Sequence, residues 1–254
     1  MNAAGDEARH GPLPEPPTLG ALIEDGPLAL FLDFDGTLVE LAPGPDDIAV
    51  PEGLVEALTR LSSRLEGRLA LISGRAIIDL EKHLGPLALA RAGSHGADCR
   101  LADGTVLGAA PTGLSGDALA ELAAFAEAEG FKREDKPHGG ALHYRHDPSL
   151  EGKGLAFAET FAARHGLEVK RGKCVIEFVA SGADKGGAVA ALMAEPPFAG
   201  ALPVFVGDDV TDEDGFRAAG HLGGFGVLVG DREGSQARYG LDRPADVYRW
   251  LEIE

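Results

Sequence analysis

Three short apolar runs punctuate the chain: residues 28–34 (LALFLDF), Leu69–Ile72 (LALI) and residues 204–206 (VFV), each ending at small or acidic positions. Uninterrupted runs of this length are what strands covered on both faces look like. After the first run, Leu54, Leu58, Leu61 and Leu65 step by four, three and four between Pro51 and Gly67, which predicts a helix with one apolar stripe. Strand, helix, strand predicts a parallel α/β sheet, with ligands gathered at the carboxyl ends of its strands. Between residues 109 and 181 the pattern changes. A helix over 117–129 leads into alternating segments at 131–136 and 141–145, then a helix over 155–165 and strands at 167–170 and 173–179. A helix and two strands, twice over, predicts a small α+β unit inserted into the larger sheet. The expected organisation is a core over residues 19–108 and 182–254 with an insert over 109–181.

Composition narrows the function. With 254 residues, 44% of them hydrophobic, the chain can bury a substantial core. Its 41 acidic residues against 23 basic ones give a net charge of −18, which argues against a general binder of nucleic acid or of anionic membranes. Residues 131–173 depart from this balance, with nine Lys and Arg against six Asp and Glu. They read either as solvated helix charges or as a platform for an anionic ligand; the motifs below favour the platform. Cys99 and Cys174 lie far apart and form neither a metal-spaced cluster nor a disulfide framework. Residues 1–18 are polar and proline-rich without a basic start or an apolar stretch, so they are expected to be disordered rather than a secretory signal. A soluble cytoplasmic protein is the expectation.

The chemistry concentrates where the apolar runs end. In Asp33-Phe34-Asp35-Gly36-Thr37, an extended chain would aim Asp33 and Asp35 at one site, where they repel unless a cation bridges them or one carries a proton. Either state serves phosphate transfer, since one carboxylate can accept a phosphoryl group while the other protonates the leaving oxygen and later activates water. Gly36 permits a tight turn there, and Thr37 offers a hydroxyl. A calcium loop fails on spacing, because a loop begun at Asp33 places Gly44 at its twelfth position. The acid-rich segment at 208–215 also follows an apolar run, so Asp208 is expected beside Asp33. Asp33, the Asp35 carbonyl and Asp208 then form an oxygen set suited to Mg²⁺, with Asp209 and Asp212 orienting waters or a lysine. Ser73-Gly74-Arg75 ends the second run, where Ser73 and nearby amides can meet phosphoryl oxygens. Lys185 opens a helical stretch and could face the same phosphate.

Taken in order, residues 33–37, Ser73, Lys185 and 207–213 resemble the four motifs of the haloacid-dehalogenase-like phosphohydrolases. More narrowly, LISGR (71–75), AGSHG (92–96), ALHYR (141–145), GKCVIEF (172–178) and GDDVTDEDGF (207–216) are similar to the trehalose-6-phosphate phosphatases. The resemblance implies a Rossmann-like parallel-sheet core with an inserted α+β cap domain. It implies Asp33 as nucleophile and Asp35 as general acid and base, with Mg²⁺ on Asp33, Asp35 and Asp208. Ser73 and Lys185, with Thr37, would hold the phosphoryl group. Gly74, Arg75, His95, Glu134, Lys136, Arg145, Lys173 and Glu177 would contact the substrate. Period-two alternation sets Glu134 with Lys136 and Lys173 with Glu177 on one face, and turns Cys174, Ile176 and Phe178 toward the cap's own core. The substrate implied is trehalose 6-phosphate, and a monomer is favoured. Another sugar phosphate such as sucrose 6-phosphate, or an Asp-phosphorylated signalling module without turnover, remain the alternatives.

Overall fold

In the computed structural model, residues 13–42, 47–108, 113–136, 138–172, 174–180 and 184–253 are described. Among them are β1 (Leu28–Leu32), β2 (Leu69–Ile72), β3 (Ala90–Gly93), β4 (Asp98–Arg100) and β5 (Val106–Leu107), then β6 (Lys132–Lys136), β7 (Gly139–His143), β8 (Leu167–Gly172) and β9 (Val175–Ala180), and finally β10 (Leu202–Gly207), β11 (Phe225–Val229) and β12 (Tyr239–Leu241). The helices are α1 (Leu19–Asp25), α2 (Leu54–Arg64), α3 (Ile77–Leu84), α4 (Gly116–Glu129), α5 (Glu151–His165), α6 (Lys185–Met193), α7 (Asp212–His221) and α8 (Pro244–Leu251). None is long and apolar enough to cross a membrane among the described residues.

Every residue of β1, β2 and β11 is buried, which explains the lack of alternation in these runs. The larger sheet runs β12-β11-β10-β1-β2-β3-β4-β5, parallel through β3 and closed by the antiparallel β4 and β5. β1 and β10 are neighbours in register, Leu32 beside Val206, so the segments that follow them leave the sheet side by side. One apolar layer, with Leu30, Leu32, Leu58 and Leu71, covers one face; another, with Phe31, Phe205, Phe216 and Val189, covers the other.

The second sheet, β6-β7-β9-β8, is antiparallel. Ile176 and Phe178 are fully buried against Leu122 of α4 and Phe161 of α5, with Cys174 packed at the margin, as alternation predicts. The opposite face carries Glu134, Ala141 and Glu177 in one row across β6, β7 and β9. The expected insert boundaries at 109 and 181 lie outside the described residues.

Two expectations change. Residues 13–18 are held rather than disordered: Pro14 O accepts Gly240 N at 2.9 Å, Pro17 O accepts Trp250 Nε1 at 2.8 Å, and Thr18 Oγ1 caps α1. Proline carbonyls remain available as acceptors, and this segment uses one on the edge strand β12 and another on α8. Residues 1–12 lie outside the described residues. The first strand stops at Leu32, so Asp33 to Thr37 is a turn and not an extended segment, with the amides of Leu38 and Val39 folding back onto Phe34 O.

Candidate active site

Asp33 leaves β1 with its amide still bound to Val206 O of β10 at 2.9 Å, which fixes it against the end of the neighbouring strand. Lys185, at the start of α6, donates to Asp33 Oδ1 at 2.8 Å and to Asp212 Oδ1 at 2.6 Å. All three groups are buried. An ammonium shared by two carboxylates is the condition under which such charges can be buried together. Asp212 Oδ2 also accepts Asp209 N at 2.8 Å, which ties the loop after β10 to the first turn of α7.

Asp208 completes the group. Oxygens of Asp33, Asp208 and Asp212 lie within 4.8 Å of one another. Asp208 Oδ1 is buried and has no hydrogen-bond partner among the described residues, and the same holds for Thr37 Oγ1. Gly36, at φ 78°, lies so close that a Cβ there would collide with the Asp208 carboxylate. Burial raises the Asp33 carboxyl well above its ordinary range; Lys185 opposes this, while Asp212 and Asp208 add to it. Asp208 is pushed up to about 7 by burial and then by Asp212. Crowded oxygen donors, one of them unpaired and two of them, Asp33 and Asp208, resisting their negative charge, fit a hard divalent cation.

The acids expected to face each other have separate partners. Arg75 grips Asp35 with Nε at 2.6 Å and Nη2 at 2.8 Å, and reaches Asp79 with Nη1 at 2.9 Å. The repulsion expected between Asp33 and Asp35 is relieved by a separate cationic side chain on each carboxylate. Lys185 serves the first and Arg75 the second. Asp79, which the sequence reading missed, stands four residues after Arg75 on the first turn of α3, a spacing that could have revealed it. Ser73 is buried and accepts Arg75 N at 3.1 Å through Oγ, and Gly74 packs directly under the His95 ring. Asp209 is exposed, and its carboxylate accepts Val210 N, so it caps its own loop.

Facing this group is the polar side of the second sheet. Glu177 Oε2 lies 2.5 Å from His95 Nε2, and Lys136 donates to Glu177 Oε1, so core and insert meet through one carboxylate. Burial works against the charge of Glu177, but the hydrogen bond from His95 and the Lys136 charge more than offset it and bring its carboxyl to about 2. Glu134 pairs with His143 at 2.7 Å, and Arg145 Nη1 reaches across to Ala42 O at 3.4 Å. A second bridge, His138 of the insert with Asp98 of β4 at 3.4 Å, was not foreseen. Lys173 lies outside the described residues.

The chain is similar to known proteins in sequence and in fold. The trehalose-phosphatase family pattern matches residues 31–245. The chain belongs to the trehalose-phosphatase family. It is 38% identical over 245 residues to the trehalose-6-phosphate phosphatase of Escherichia coli (strain K12), covering 95% of this chain and 90% of that protein. The C-terminal domain of the C. albicans trehalose-6-phosphate phosphatase superposes with a TM-score of 0.81 at 24% identity, covering 98% of each chain. A Bacteroides thetaiotaomicron phosphatase of the haloalkanoate (HAD) enzyme superfamily gives 0.59 at 17% identity over 89% of this chain and 95% of that one. The fold is that of the HAD phosphatases, and membership of the trehalose-phosphatase family makes the protein a phosphatase.

Proposed function

We propose that the protein is a Mg²⁺-dependent phosphatase that cleaves trehalose 6-phosphate to trehalose and phosphate, the last step in making the disaccharide. The observation that carries this reading is the buried Asp33–Lys185–Asp212 chain beside the unpaired Asp208 oxygen. Asp33, the Asp35 carbonyl and Asp208 would hold the cation, whose charge would neutralise the nucleophile and the phosphoryl oxygens together.

The steps belong to the chain's own residues. Asp33 attacks phosphorus, its carboxylate forming an acyl phosphate as the sugar oxygen departs. Asp35 protonates that oxygen and then takes a proton from the water that cleaves the acyl phosphate, which returns Asp33 and releases phosphate. Arg75 holds both oxygens of Asp35, so the acid must loosen one of these bonds to carry its proton. Lys185, Ser73, Thr37 and the Gly74 amide bind the phosphoryl oxygens, and Asp212 keeps Lys185 charged and aimed.

The sugar falls to the opposite face. Glu134, Lys136, Glu177, Arg145 and Lys173, with His95 and Arg75 on the core side, present donors and acceptors to hydroxyl groups. Such a wall discriminates sugars well, because a missing hydroxyl leaves a buried group unpaired. We take residues 109–181 as a cap domain that excludes water when it covers the core, residues 19–108 and 182–254. The reading keeps the expectation of a cytoplasmic enzyme acting as a monomer.

Phosphate release from trehalose 6-phosphate, sucrose 6-phosphate and glucose 6-phosphate, at matched concentration with Mg²⁺ and with chelator, tests this. Turnover of the trehalose ester alone, abolished by chelator, is expected. Equal turnover of glucose 6-phosphate would defeat the disaccharide assignment.

A further inference from the structure

Asp212 and Glu213 open α7 side by side, yet they serve different partners. Asp212 turns inward to Lys185. Glu213, with only 13% of its side chain exposed, turns to the segment that follows β11. Its Oε1 accepts Arg232 Nη2 at 2.5 Å and Ser235 Oγ at 2.7 Å, and its Oε2 accepts Gln236 N at 2.8 Å. The same Arg232 Nη2 donates to the Asp209 carbonyl at 3.2 Å. Asp209 is the residue after Asp208.

An acid in the first turn of a helix is favoured by the helix dipole alone, and an exposed one would serve that purpose. Three donors converging on a carboxylate from a segment about twenty residues further along the chain exceed that need. They build a chain of contacts from residues 232–236 through Glu213 and Arg232 to the carbonyl of Asp209, one residue after Asp208. The inner side of this loop is held by Asp212 through Asp209 N, and the outer side by Arg232 through Asp209 O. Between Gly207, where β10 ends, and Asp212, where α7 begins, the backbone is held by turn bonds from Asp212 N to Asp209 O at 3.0 Å and from Glu213 N to Val210 O at 3.2 Å, and Arg232 adds a second donor to that Asp209 carbonyl.

We propose that Glu213 and Arg232 are positioning residues: they clamp the Asp209–Val210 peptide, the one next to Asp208, from outside and thereby set the affinity of the site for its divalent cation. This rests on the Mg²⁺ reading above. A ligand oxygen already fixed by folding loses little freedom when the ion binds, whereas a loop released on one side must be ordered at that moment.

Mg²⁺ binding to the full chain by calorimetry, without substrate, provides the test, with Tm measured in chelator and in Mg²⁺. For Glu213→Gln and Arg232→Met, loss of a charge-assisted clamp is expected to raise the Mg²⁺ Kd about tenfold. The rise in Tm on adding Mg²⁺ should shrink accordingly. Ser235→Ala, which removes one bond and is the milder variant, should raise the Kd by about two- to threefold. Kd values equal to wild type in all three variants, with or without a lower Tm in chelator, would overturn the clamp and leave the contacts purely structural. A wild-type chain that binds no Mg²⁺ would defeat the metal reading and the proposal with it.

Discussion

The two halves of the site are held in contrasting ways. On the core side, Asp33, Lys185 and Asp212 are almost without exposure and are paired in a single arrangement, anchored by a strand end and two helix starts. On the insert side, Glu134 and His143 keep about a third of their side chains exposed, and Lys136 and Glu177 sit between these extremes. The difference suits the two tasks proposed for these halves. Chemistry on a phosphoryl group needs charges fixed before the substrate arrives, because reorganisation during reaction raises the barrier. Recognition of hydroxyl groups needs donors and acceptors that can exchange one partner for another.

If the core side is the preorganised half, its variants should suffer most. Asp33→Asn is expected to lose at least ~10³-fold in kcat, as when a covalent nucleophile is removed. Near-wild-type turnover would take that role from Asp33. Lys185→Met should leave Asp33 and Asp212 buried without their cation and cost about 3 to 5 kcal/mol of stability, read by denaturant unfolding in chelator. A loss under about 1 kcal/mol would show that the acids do not depend on the lysine.

The insert side should respond to pH and to substrate rather than collapse. Folding lowers the Glu177 carboxyl from an ordinary 4.5 to about 2. A lowered pKa contributes stability that is complete above about pH 4.5 and is lost as pH falls toward 2. The contribution is on the order of 3 kcal/mol. Glu177→Gln should therefore flatten that part of the acid unfolding curve, and an unchanged curve would remove the carboxylate from the bridge to His95. Smallest is Lys136→Ala, expected to lower kcat/KM for the sugar phosphate about tenfold while Mg²⁺ affinity stays as in wild type. Changed Mg²⁺ binding would blur the division between the halves.

The same contrast governs how much could be read from the sequence. Asp33, Ser73 and Asp208 were legible because each follows an apolar run that folding must bury, so its position at a strand end follows from hydrophobicity alone. Ile176 and Phe178 were legible for the equivalent reason in an antiparallel sheet. The close approach of Gly36 to Asp208 was not legible, because it depends on tertiary packing and not on polarity. Arg75 gripping Asp35, and Glu213 gripping residues 232–236, join segments far apart in the chain. Nothing in a local pattern announces such pairs.

The central claim is that two acids from separate segments, Asp33 and Asp208, converge on one divalent ion at the strand ends. Anomalous diffraction from crystals of the protein soaked in Mn²⁺ would locate that ion. A single strong peak touching the carboxylates of Asp33 and Asp208 is the expected result, and a peak elsewhere, or none at this pair, would contradict the account.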